Sequence, residues 1–258
     1  MSPTPAAFIG HGNPMNALEA NHFTTAWREF AASFERPRAI VVISAHWYVN
    51  VSAVTAMTAP RTIHDFFGFP QALFDVKYPA PGDPDLAQRI IDLAEPSYVG
   101  PDEDSWGLDH GAWSVLLPMY PEADIPVLQL SVDATKSIEQ HMKLGASLAP
   151  LRDEGVLILA SGNVVHNLGQ LRFDLPGIGT EWAHSFDAAA KAIMTSDPAQ
   201  LDRLREDPAY ALAVPTPDHF MPLAYLAGLA HAAGSPATTI LEGCDLGSLS
   251  MTSYALRG

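Results

Sequence analysis

Five histidines stand where imidazole side chains could act together. His11, His46 and His166 each follow an apolar run typical of a buried strand, namely AAFIG, AIVVISA and GVLILASGNVV. His219 lies in the segment VPTPDHFMPLAYLAGLA, and His110 lies in the segment SWGLDHGAW. Neutral imidazole is the commonest metal-binding side chain, and it exchanges protons near neutral pH. These residues are therefore candidates for metal binding and for proton transfer.

A single histidine at the end of a strand is most often a structural residue that is partly buried. The interpretation changes here because the same placement recurs at the ends of three predicted strands. A ligand set rich in histidine and poor in carboxylates suits Fe(II), Zn(II) or Cu(II) better than Mg(II) or Ca(II). The pattern therefore predicts one site for a divalent metal near the ends of these strands.

Other aromatic and sulfur-containing residues carry weaker signals. The segment RTIHDFFGFP, which contains His64, is rich in phenylalanine and could cover an apolar, aromatic substrate or pack in the core. Trp47, Trp106 and Trp113 present the same two alternatives. Cys244 has no motif that pairs it with a base, and we expect it to be a buried structural cysteine. Four further histidines are expected on the surface or in packing: His22, His141, His184 and His231.

The elements that must position the histidines alternate along the chain. Apolar runs bounded by turn residues predict strands over residues 6–10, 39–44, 125–132, 155–162 and 237–243. Mixed segments rich in alanine and leucine predict helices over residues 23–34, 83–95, 137–151 and 181–196. This alternation favours a single-domain α/β protein over residues 1–258, with a largely parallel or mixed central sheet and helices on both faces.

The predicted sheet explains why the histidines should meet. Ligands of α/β sheets bind beyond the carboxyl ends of the strands, which is where His11, His46 and His166 fall. We expect His110 in a loop rich in glycine and tryptophan. Asp218 could cap the helix that follows His219.

Composition limits the classes of partner. The chain has 258 residues, and its 14 lysines and arginines against 29 aspartates and glutamates give a net charge of -15. This charge opposes binding to nucleic acid or to an anionic membrane surface. Cys244 is the single cysteine and cannot form a disulfide within the chain, which favours the cytoplasm. The sequence has neither a secretory signal pattern nor an apolar run of the roughly 20 residues that span a membrane.

Several common catalytic motifs are missing from the sequence. There is no G-x-S-x-G motif, so a serine hydrolase of the α/β-hydrolase type is not supported. There is also neither a G-x-G-x-x-G motif nor a Walker A motif, which removes the usual signals for dinucleotides and nucleoside triphosphates.

Five motifs together resemble a known family. FIGHGNPMNAL, VVISAHW, WGLDHGAWSVLLPMYP, ILASGNVVHNL and PTPDHFMPLAYLAG occur in this order over nearly the whole chain. They are similar to motifs of the class III extradiol ring-cleavage dioxygenases, specifically the 4,5-DOPA dioxygenase branch. The resemblance implies a single α/β domain that binds one divalent metal ion and cleaves a catechol ring with O2 beside the two hydroxyls. Fe(II) would support activity, and Zn(II) is a possible bound ion.

The resemblance also implies roles for the histidines. His11, His46 and His219 would be metal ligands, and His166 would be either the general acid/base or a fourth ligand. His110 would face the substrate and help with proton transfer or orientation. The wider family is similar in using a glutamate as third ligand where this chain has His219, and Asp218 could compensate for that charge.

Two other functions stay open at this point. The same histidines could hold a zinc-bound water in a hydrolase. The chain could also be a non-catalytic member of the fold that binds a metal or a peptide. The sequence leaves open which catechol is the substrate, which bond is cleaved, whether the metal is iron or zinc, and what the oligomeric state is.

Overall fold

The computed structural model describes residues 2–258, and its centre is a mixed β-sheet. The strands in chain order are β1 (Ala6–Gly10), β2 (Ala39–Val49), β3 (Ala53–Thr55), β4 (Gly100–Asp102), β5 (Val127–Asp133), β6 (Val156–Gly162), β7 (Thr238–Leu241), β8 (Cys244–Asp245), β9 (Leu249–Ser250) and β10 (Ser253–Leu256). Eight of them form one sheet in the order β4-β3-β5-β2-β6-β1-β10-β7, and β8 pairs with β9. Strands β5, β2, β6 and β1 are mutually parallel. Strand β10 pairs antiparallel with β1, and β7 pairs antiparallel with β10.

Helices cover both faces of the sheet. They are α1 (His22–Ala32), α2 (Gln71–Phe74), α3 (Pro84–Ala94), α4 (His110–Met119), α5 (Ile138–Ser147), α6 (Pro150–Asp153), α7 (Glu181–Met194), α8 (Tyr210–Ala213) and α9 (Pro222–Ala232). Three 3-10 helices cover Pro14–Ala17, Leu168–Gln170 and Pro198–Glu206. No helix within residues 2–258 combines the length and the apolar character needed to cross a membrane.

Successive side chains of the central strands point alternately into two separate hydrophobic cores, one on each face of the sheet. In β1, Ala6 and Phe8 pack on the face covered by α3, α5, α7 and α9, while Ala7 and Ile9 pack on the face covered by α1 and α4. Both faces are buried, so β1 and β6 are apolar almost throughout, as expected for central parallel strands. The α/β class, the mixed sheet and the helices on both faces are therefore confirmed.

Local sequence signals set several helix boundaries. The Asn21 side chain caps α1 by accepting a hydrogen bond from the Thr24 amide, and the Thr24 hydroxyl accepts one from the Asn21 backbone amide. Ser137 caps α5 in the same reciprocal manner with Gln140. The helix predicted over residues 137–151 is wrong as a single element, because α5 ends at Ser147 and α6 begins anew at Pro150.

Three other expectations about local structure need correction. The strand predicted over residues 39–44 continues to Val49, so that His46 lies inside β2. His110 is the first residue of α4 rather than part of a loop, because Asp109 caps that helix. Asp218 does not cap α9, which begins at Pro222 with Met221 at the cap position.

Candidate active site

The site lies at the carboxyl ends of the central parallel strands. His11 directly follows β1, and His166 comes four residues after β6. Within β2, pairing with β6 ends at Ser44, and the register with β5 shifts between Ile43 and Tyr48. His46 therefore stands beyond the regular parallel ladder even though its strand continues.

The other two histidines reach the same place from a helix and from the turn before α9. His110 begins α4, and the backbone carbonyl of His219 accepts a hydrogen bond of 2.9 Å from the Asn163 amide just after β6. All five predicted site histidines are thereby brought together, and they line one cavity. Their individual roles stay predictions.

His11, His46 and His110 form the tightest nitrogen cluster. Each of them offers a ring nitrogen within 4.8 Å of those of the other two. The Nε2 atoms of His11 and His46 are 3.3 Å apart. The ring centroid of His219 lies 5.3 Å from that of His11 and 4.9 Å from that of His46. This arrangement could hold a metal ion.

Hydrogen bonds at Nδ1 determine which nitrogen of His11 is free. Its Nδ1 lies 2.9 Å from the Ser161 hydroxyl, which donates its own proton to the Gly111 carbonyl at 2.6 Å. The Ser161 oxygen must therefore accept a hydrogen bond from the Nδ1–H group of His11. Nε2 of His11 is then left with a lone pair directed at His46.

Asp65 connects two of the histidines through its two carboxylate oxygens. One oxygen lies 3.2 Å from Nδ1 of His46, and the other lies 2.9 Å from Nδ1 of His110. The second oxygen also accepts a hydrogen bond of 3.0 Å from the backbone amide of His110. Counted over all its atoms Asp65 is exposed, whereas its side chain alone is only 17% exposed. Asp65 thus lies within ion-pair distance of both rings, and sequence reasoning missed it.

A second carboxylate orients His219. Oδ2 of Asp218 accepts a hydrogen bond of 2.5 Å from Nδ1 of His219, which leaves Nε2 of that ring as the free nitrogen. The His166 ring stacks on the His219 ring, with centroids 3.5 Å apart and planes 3° from parallel. Asp218 therefore orients the ring of His219, its neighbour in the sequence, through a direct hydrogen bond.

Three of the five histidines, His11, His46 and His166, have a lowered pKa and are therefore neutral near pH 7. Burial lowers the pKa of His11 and of His46 well below the ordinary value, and the neighbouring histidines lower it further. Burial and the neighbouring His219 lower the pKa of His166 to about 3. Neutral imidazole is the form that binds a metal.

The carboxylates differ in their titration. Burial tends to raise the pKa of Asp65, but its contact with His110 outweighs burial and lowers that pKa. Burial likewise tends to raise the pKa of Asp218, but the hydrogen bond with His219 lowers it to about 2. Burial, reinforced by the charge of Asp65, raises the pKa of Asp109, which lies behind the site and bonds to Ser44 and Gln129.

Two glycines permit the close approach of the elements. A Cβ atom on Gly111 would lie 2.4 Å from the Ser44 hydroxyl and 2.8 Å from the His46 ring, so that only glycine lets α4 approach β2 here. Gly12 has a φ of 56°, a left-handed conformation that turns the chain directly after His11.

The histidines form one wall of a cavity of about 540 Å³, a size typical of small-molecule sites. Its other walls come from three segments, residues 12–14, 65–69 and 168–173, and from Leu246 and Leu249. The phenylalanines of DFFGFP therefore line the cavity, as one of the two expectations had it.

The three tryptophans do not line the cavity. Trp47 and Trp106 stack on each other with planes 4° from parallel, and Trp113 is fully buried in the core, where its Nε1 donates to the Ile63 carbonyl. His64 donates to the Val76 carbonyl, and His141 is buried in packing. Cys244 is buried and unpaired within the described residues, as expected.

Comparisons with known proteins agree with this arrangement. A family model described as the catalytic LigB subunit of aromatic ring-opening dioxygenase matches residues 3–250. The chain is 48% identical over 256 residues to a protein of Escherichia coli (strain K12) named 4,5-DOPA dioxygenase extradiol, with 98% of this chain and 94% of the relative covered. A protein of Beta vulgaris with the same name is 43% identical, with 96% of this chain and 94% of the relative covered.

The fold also matches a solved structure. The crystal structure of an uncharacterized protein from Escherichia coli K12 superposes with a TM-score of 0.85 at 42% identity. The match covers 98% of this chain and 99% of that chain.

Proposed function

The chain belongs to the family of the catalytic LigB subunit of aromatic ring-opening dioxygenases, and from that premise we propose that it uses one divalent metal ion and O2 to cleave a catechol ring beside its two hydroxyls. The relatives named above are called extradiol dioxygenases of DOPA. A small catecholic substrate for this chain is part of the proposal, as are activity with Fe(II) and a location in the cytoplasm.

One observation carries the metal requirement. The Nε2 atoms of His11 and His46 are 3.3 Å apart. Nδ1 of His11 donates a hydrogen bond to Ser161, so its Nε2 carries a lone pair, and we infer the same for Nε2 of His46 from the Asp65 oxygen that lies 3.2 Å from its Nδ1. Two lone pairs at this distance repel unless a cation or a proton lies between them. The donor set therefore fits a metal ion.

We assign His11, His46 and His219 as the residues that would hold the metal. Each of these three has an acceptor at Nδ1, namely Ser161, Asp65 and Asp218. Such partners fix the ring orientation and raise the basicity of the free nitrogen. All-histidine ligation suits Fe(II) and also Zn(II), and we place Fe(II) in the active enzyme. When bound, the metal would lower the pKa of the catechol hydroxyls and supply a binding position for O2.

Proton transfer is assigned first to His110. Its Nδ1 lies 2.9 Å from the Asp65 carboxylate, which balances the positive charge that an imidazole acquires when it takes up a proton. His166 is less suited to hold a proton at neutral pH, because burial and the neighbouring His219 lower its pKa to about 3. We therefore place His166 beside the substrate ring, where it can accept a hydrogen bond and keep the ring in position.

Apolar side chains complete the chemistry by excluding water. Phe66 lies against His110 at a centroid distance of 5.5 Å, and it also packs on Phe69 and Phe74. Leu249 closes the cavity near His166, to which it is paired by an isolated bridge. A site walled in this way keeps solvent from reacting intermediates.

The proposal is tested by reconstitution. Metal-free protein is loaded anaerobically with Fe(II) or Zn(II), mixed with a panel of catechols and exposed to air, while an electrode follows O2 uptake and a spectrophotometer follows the yellow ring-cleavage product. We expect uptake and a yellow product with Fe(II) only. Stoichiometric metal without O2 uptake on any catechol would contradict the proposal and would favour a zinc hydrolase or a binding protein.

A further inference from the structure

Asn13 differs in kind from every other side chain of the cavity lining. Among the described residues, the rest of the lining consists of the five histidines, Asp65, apolar residues and two glycines. Asn13 follows His11 by two residues and is half-buried. A carboxamide neither gains nor loses a proton near neutral pH, so its N–H groups donate whatever the state of the histidines. Asn13 therefore offers a ligand a permanent, uncharged donor.

Local hydrogen bonds determine which end of the Asn13 side chain is available. Its Oδ1 accepts a hydrogen bond of 2.9 Å from the Met15 amide and so caps the 3-10 helix Pro14–Ala17. Within residues 2–258, its Nδ2 group makes no hydrogen bond. The acceptor end of the carboxamide is thus occupied, and the donor end is left for a ligand.

The turn that carries Asn13 is braced by its neighbours. The Asn16 amide donates to the Asn13 carbonyl at 3.0 Å, and the Asn16 side chain donates to the His11 carbonyl at 3.1 Å. The Asn21 side chain donates in turn to the Asn16 side chain at 2.8 Å. The 3-10 helix also packs on α4 and on α2, the helix that follows residues 66–69. Asn13 is therefore held in a defined position relative to His11 before a ligand binds.

The mouth of the cavity, formed by residues 66–69 and residues 168–173, cannot satisfy a polar group on a ligand through its aromatic side chains. Phe67 is 91% exposed and Phe173 is 78% exposed, and both line the cavity. These phenylalanines can cover the carbon chain of a ring substituent, but they offer no hydrogen bond to a polar group at its end. Such a group needs a partner elsewhere in the lining.

A carboxylate is the end group that suits Asn13 best. The Nδ2 group can donate but not accept, so it cannot bind an ammonium group. Neither lysine nor arginine is among the described residues that line the cavity, and the oxygens of Asp65 face the rings of His46 and His110. A hydrogen bond from a neutral donor to a carboxylate is stronger than one between two neutral groups.

We propose that Asn13 is a substrate-binding residue that favours catechols with a carboxylate on the ring substituent, to which its Nδ2 group donates a hydrogen bond. The inference rests on the proposed function, because it takes the metal as the binding place of the two hydroxyls, which leaves the carboxylate oxygens as the free acceptors. The cavity of about 540 Å³ has room for a substituent beside the ring.

Two variants remove the donor and keep the helix cap. Asn13→Ser retains an uncharged capping oxygen but withdraws the carboxamide, and Asn13→Asp retains the acceptor for the Met15 amide but replaces the N–H groups with a charged oxygen. Asn50→Asp is the control for the added charge. Asn50 is exposed in the bend after β2 and does not line the cavity.

Two pairs of ligands isolate the carboxylate. DOPA and dopamine differ only in this group, and so do 3-(3,4-dihydroxyphenyl)propionate and 4-ethylcatechol. Affinities for Fe(II)-loaded protein are measured by calorimetry under nitrogen, so that no turnover is needed. In Asn13→Ser we expect the affinity of each acid relative to its partner to fall by about tenfold. Asn13→Asp should lower both ratios further, because its charge repels a carboxylate, and Asn50→Asp should leave them unchanged.

Three results would overturn the inference. Unchanged ratios in Asn13→Ser would show that the carboxamide does not bind the carboxylate. Lowered ratios in Asn13→Asp alone would assign the effect to the added charge rather than to the lost donor. Equal weakening of all four ligands would mean that Asn13 acts on the ring or on the metal site and not on the substituent.

The inference and the proposed function fail in different ways. If the ratios fall as expected but O2 uptake is missing with every catechol, ring cleavage is refuted and the role of Asn13 stands. If ring cleavage occurs and the ratios do not change, the role of Asn13 is refuted and ring cleavage stands. If no catechol binds to the metal-loaded protein, both are refuted.

Discussion

The histidine wall of the cavity and its mouth differ in how their side chains are held. In the wall, His11, His46 and His219 each have Nδ1 in contact with a fixed acceptor, and all three rings lie on or beside central elements of the fold. At the mouth, Phe67 and Phe173 have most of their surface in water. The histidines, whose relative positions must stay fixed, are thus held by contacts with the core. The phenylalanines, which only exclude water, lie on surface segments.

This contrast implies that changes in the two regions act on different quantities. Substitutions in the wall should change metal content and the rate of the chemical step. Substitutions at the mouth should change ligand preference and leave metal content unaltered. The following predictions test that division, beginning with the largest expected effect.

Removal of a wall ligand should have the largest effect. His46→Ala deletes one of the two facing Nε2 atoms, so bound metal and ring cleavage should be lost together, with activity reduced by about 10³-fold or more. Metal content is measured by elemental analysis beside O2 uptake. His231→Ala, an exposed histidine at the end of α9, serves as the control and should behave like the parent protein. Full metal content in the His46 variant would refute its role as a ligand.

Two further histidines separate metal binding from proton transfer. His219→Ala should lose metal, whereas His110→Ala should keep it and lose about 10²-fold to 10⁴-fold in kcat. The tightest nitrogen cluster contains His110 rather than His219, so the opposite outcome is physically possible. Metal loss in the His110 variant with retention in the His219 variant would reassign the third ligand.

Asp65 should rank next, because it acts through His46 and His110. Asp65→Asn keeps the size of the side chain but removes its charge, and we expect a loss of about 10-fold to 100-fold in metal affinity or activity. The rate should also change its pH profile, since the partner of the proton-transfer residue is altered. Asp75→Asn, an exposed carboxylate of the same region, should have no such effect. An unchanged pH profile in the Asp65 variant would limit that residue to a structural role.

The sequence indicated the histidines of the wall and Asp218, but it did not indicate Asp65, which lies beside His46 and His110. His11 and His46 follow apolar runs, and a periodic pattern is a local property that shows in the sequence. The contacts of Asp65 join residues 45 positions apart in the case of His110, so they depend on tertiary packing that no local pattern encodes. The phenylalanines of the segment DFFGFP were noticed in the sequence, but Asp65, the residue that begins this segment, was not. Its position beside them was the only sequence signal for this carboxylate.

Element boundaries were missed for similar reasons. The end predicted for β2 at residue 44 coincides with its last pair to β6, and the extension to Val49 depends on renewed pairing with β5. The small strands β3, β8 and β9 contain two or three residues each, too few for a periodic signal. Most of the histidine wall could thus be predicted from the sequence, and the shape of the cavity mouth could not.

The stability of metal-free protein should depend on pH. His166 has a folded pKa of about 3, below the ordinary unfolded value near 6.5, so the unfolded chain binds more protons between these two values. Stability is then fully present above about pH 6.5 and is lost as the pH falls toward 3. At pH 5 the loss from His166 alone is ~2 kcal/mol, which corresponds to a decrease in Tm of roughly 4 to 8 °C.

Thermal unfolding of chelator-treated protein at pH 7.5 and pH 5 measures this loss. His11 and His46 shift in the same direction, while Asp109 and Asp187, whose pKa values are raised mainly by burial, act in the opposite direction. His166→Asn isolates one contribution, because it should lose less stability than the parent between the two pH values. An identical pH dependence in parent and variant would refute the assignment.

The smallest effects should come from the mouth, and two adjacent phenylalanines separate the regions within one segment. Phe66 packs against Phe74, His110 and Trp113, so Phe66→Ala should lower the free energy of unfolding by about 2 kcal/mol and slow ring cleavage by disturbing His110. Phe67 is 91% exposed, so Phe67→Ala should change the free energy of unfolding by less than about 0.5 kcal/mol. It should still weaken the binding of a catechol that carries a ring substituent by a few-fold, since Phe67 lines the cavity and is covered only when a ligand is present. Urea unfolding and anaerobic calorimetry on both variants distinguish the cases, and a stability loss in the Phe67 variant comparable to that of Phe66 would mean that the mouth is held by the core after all.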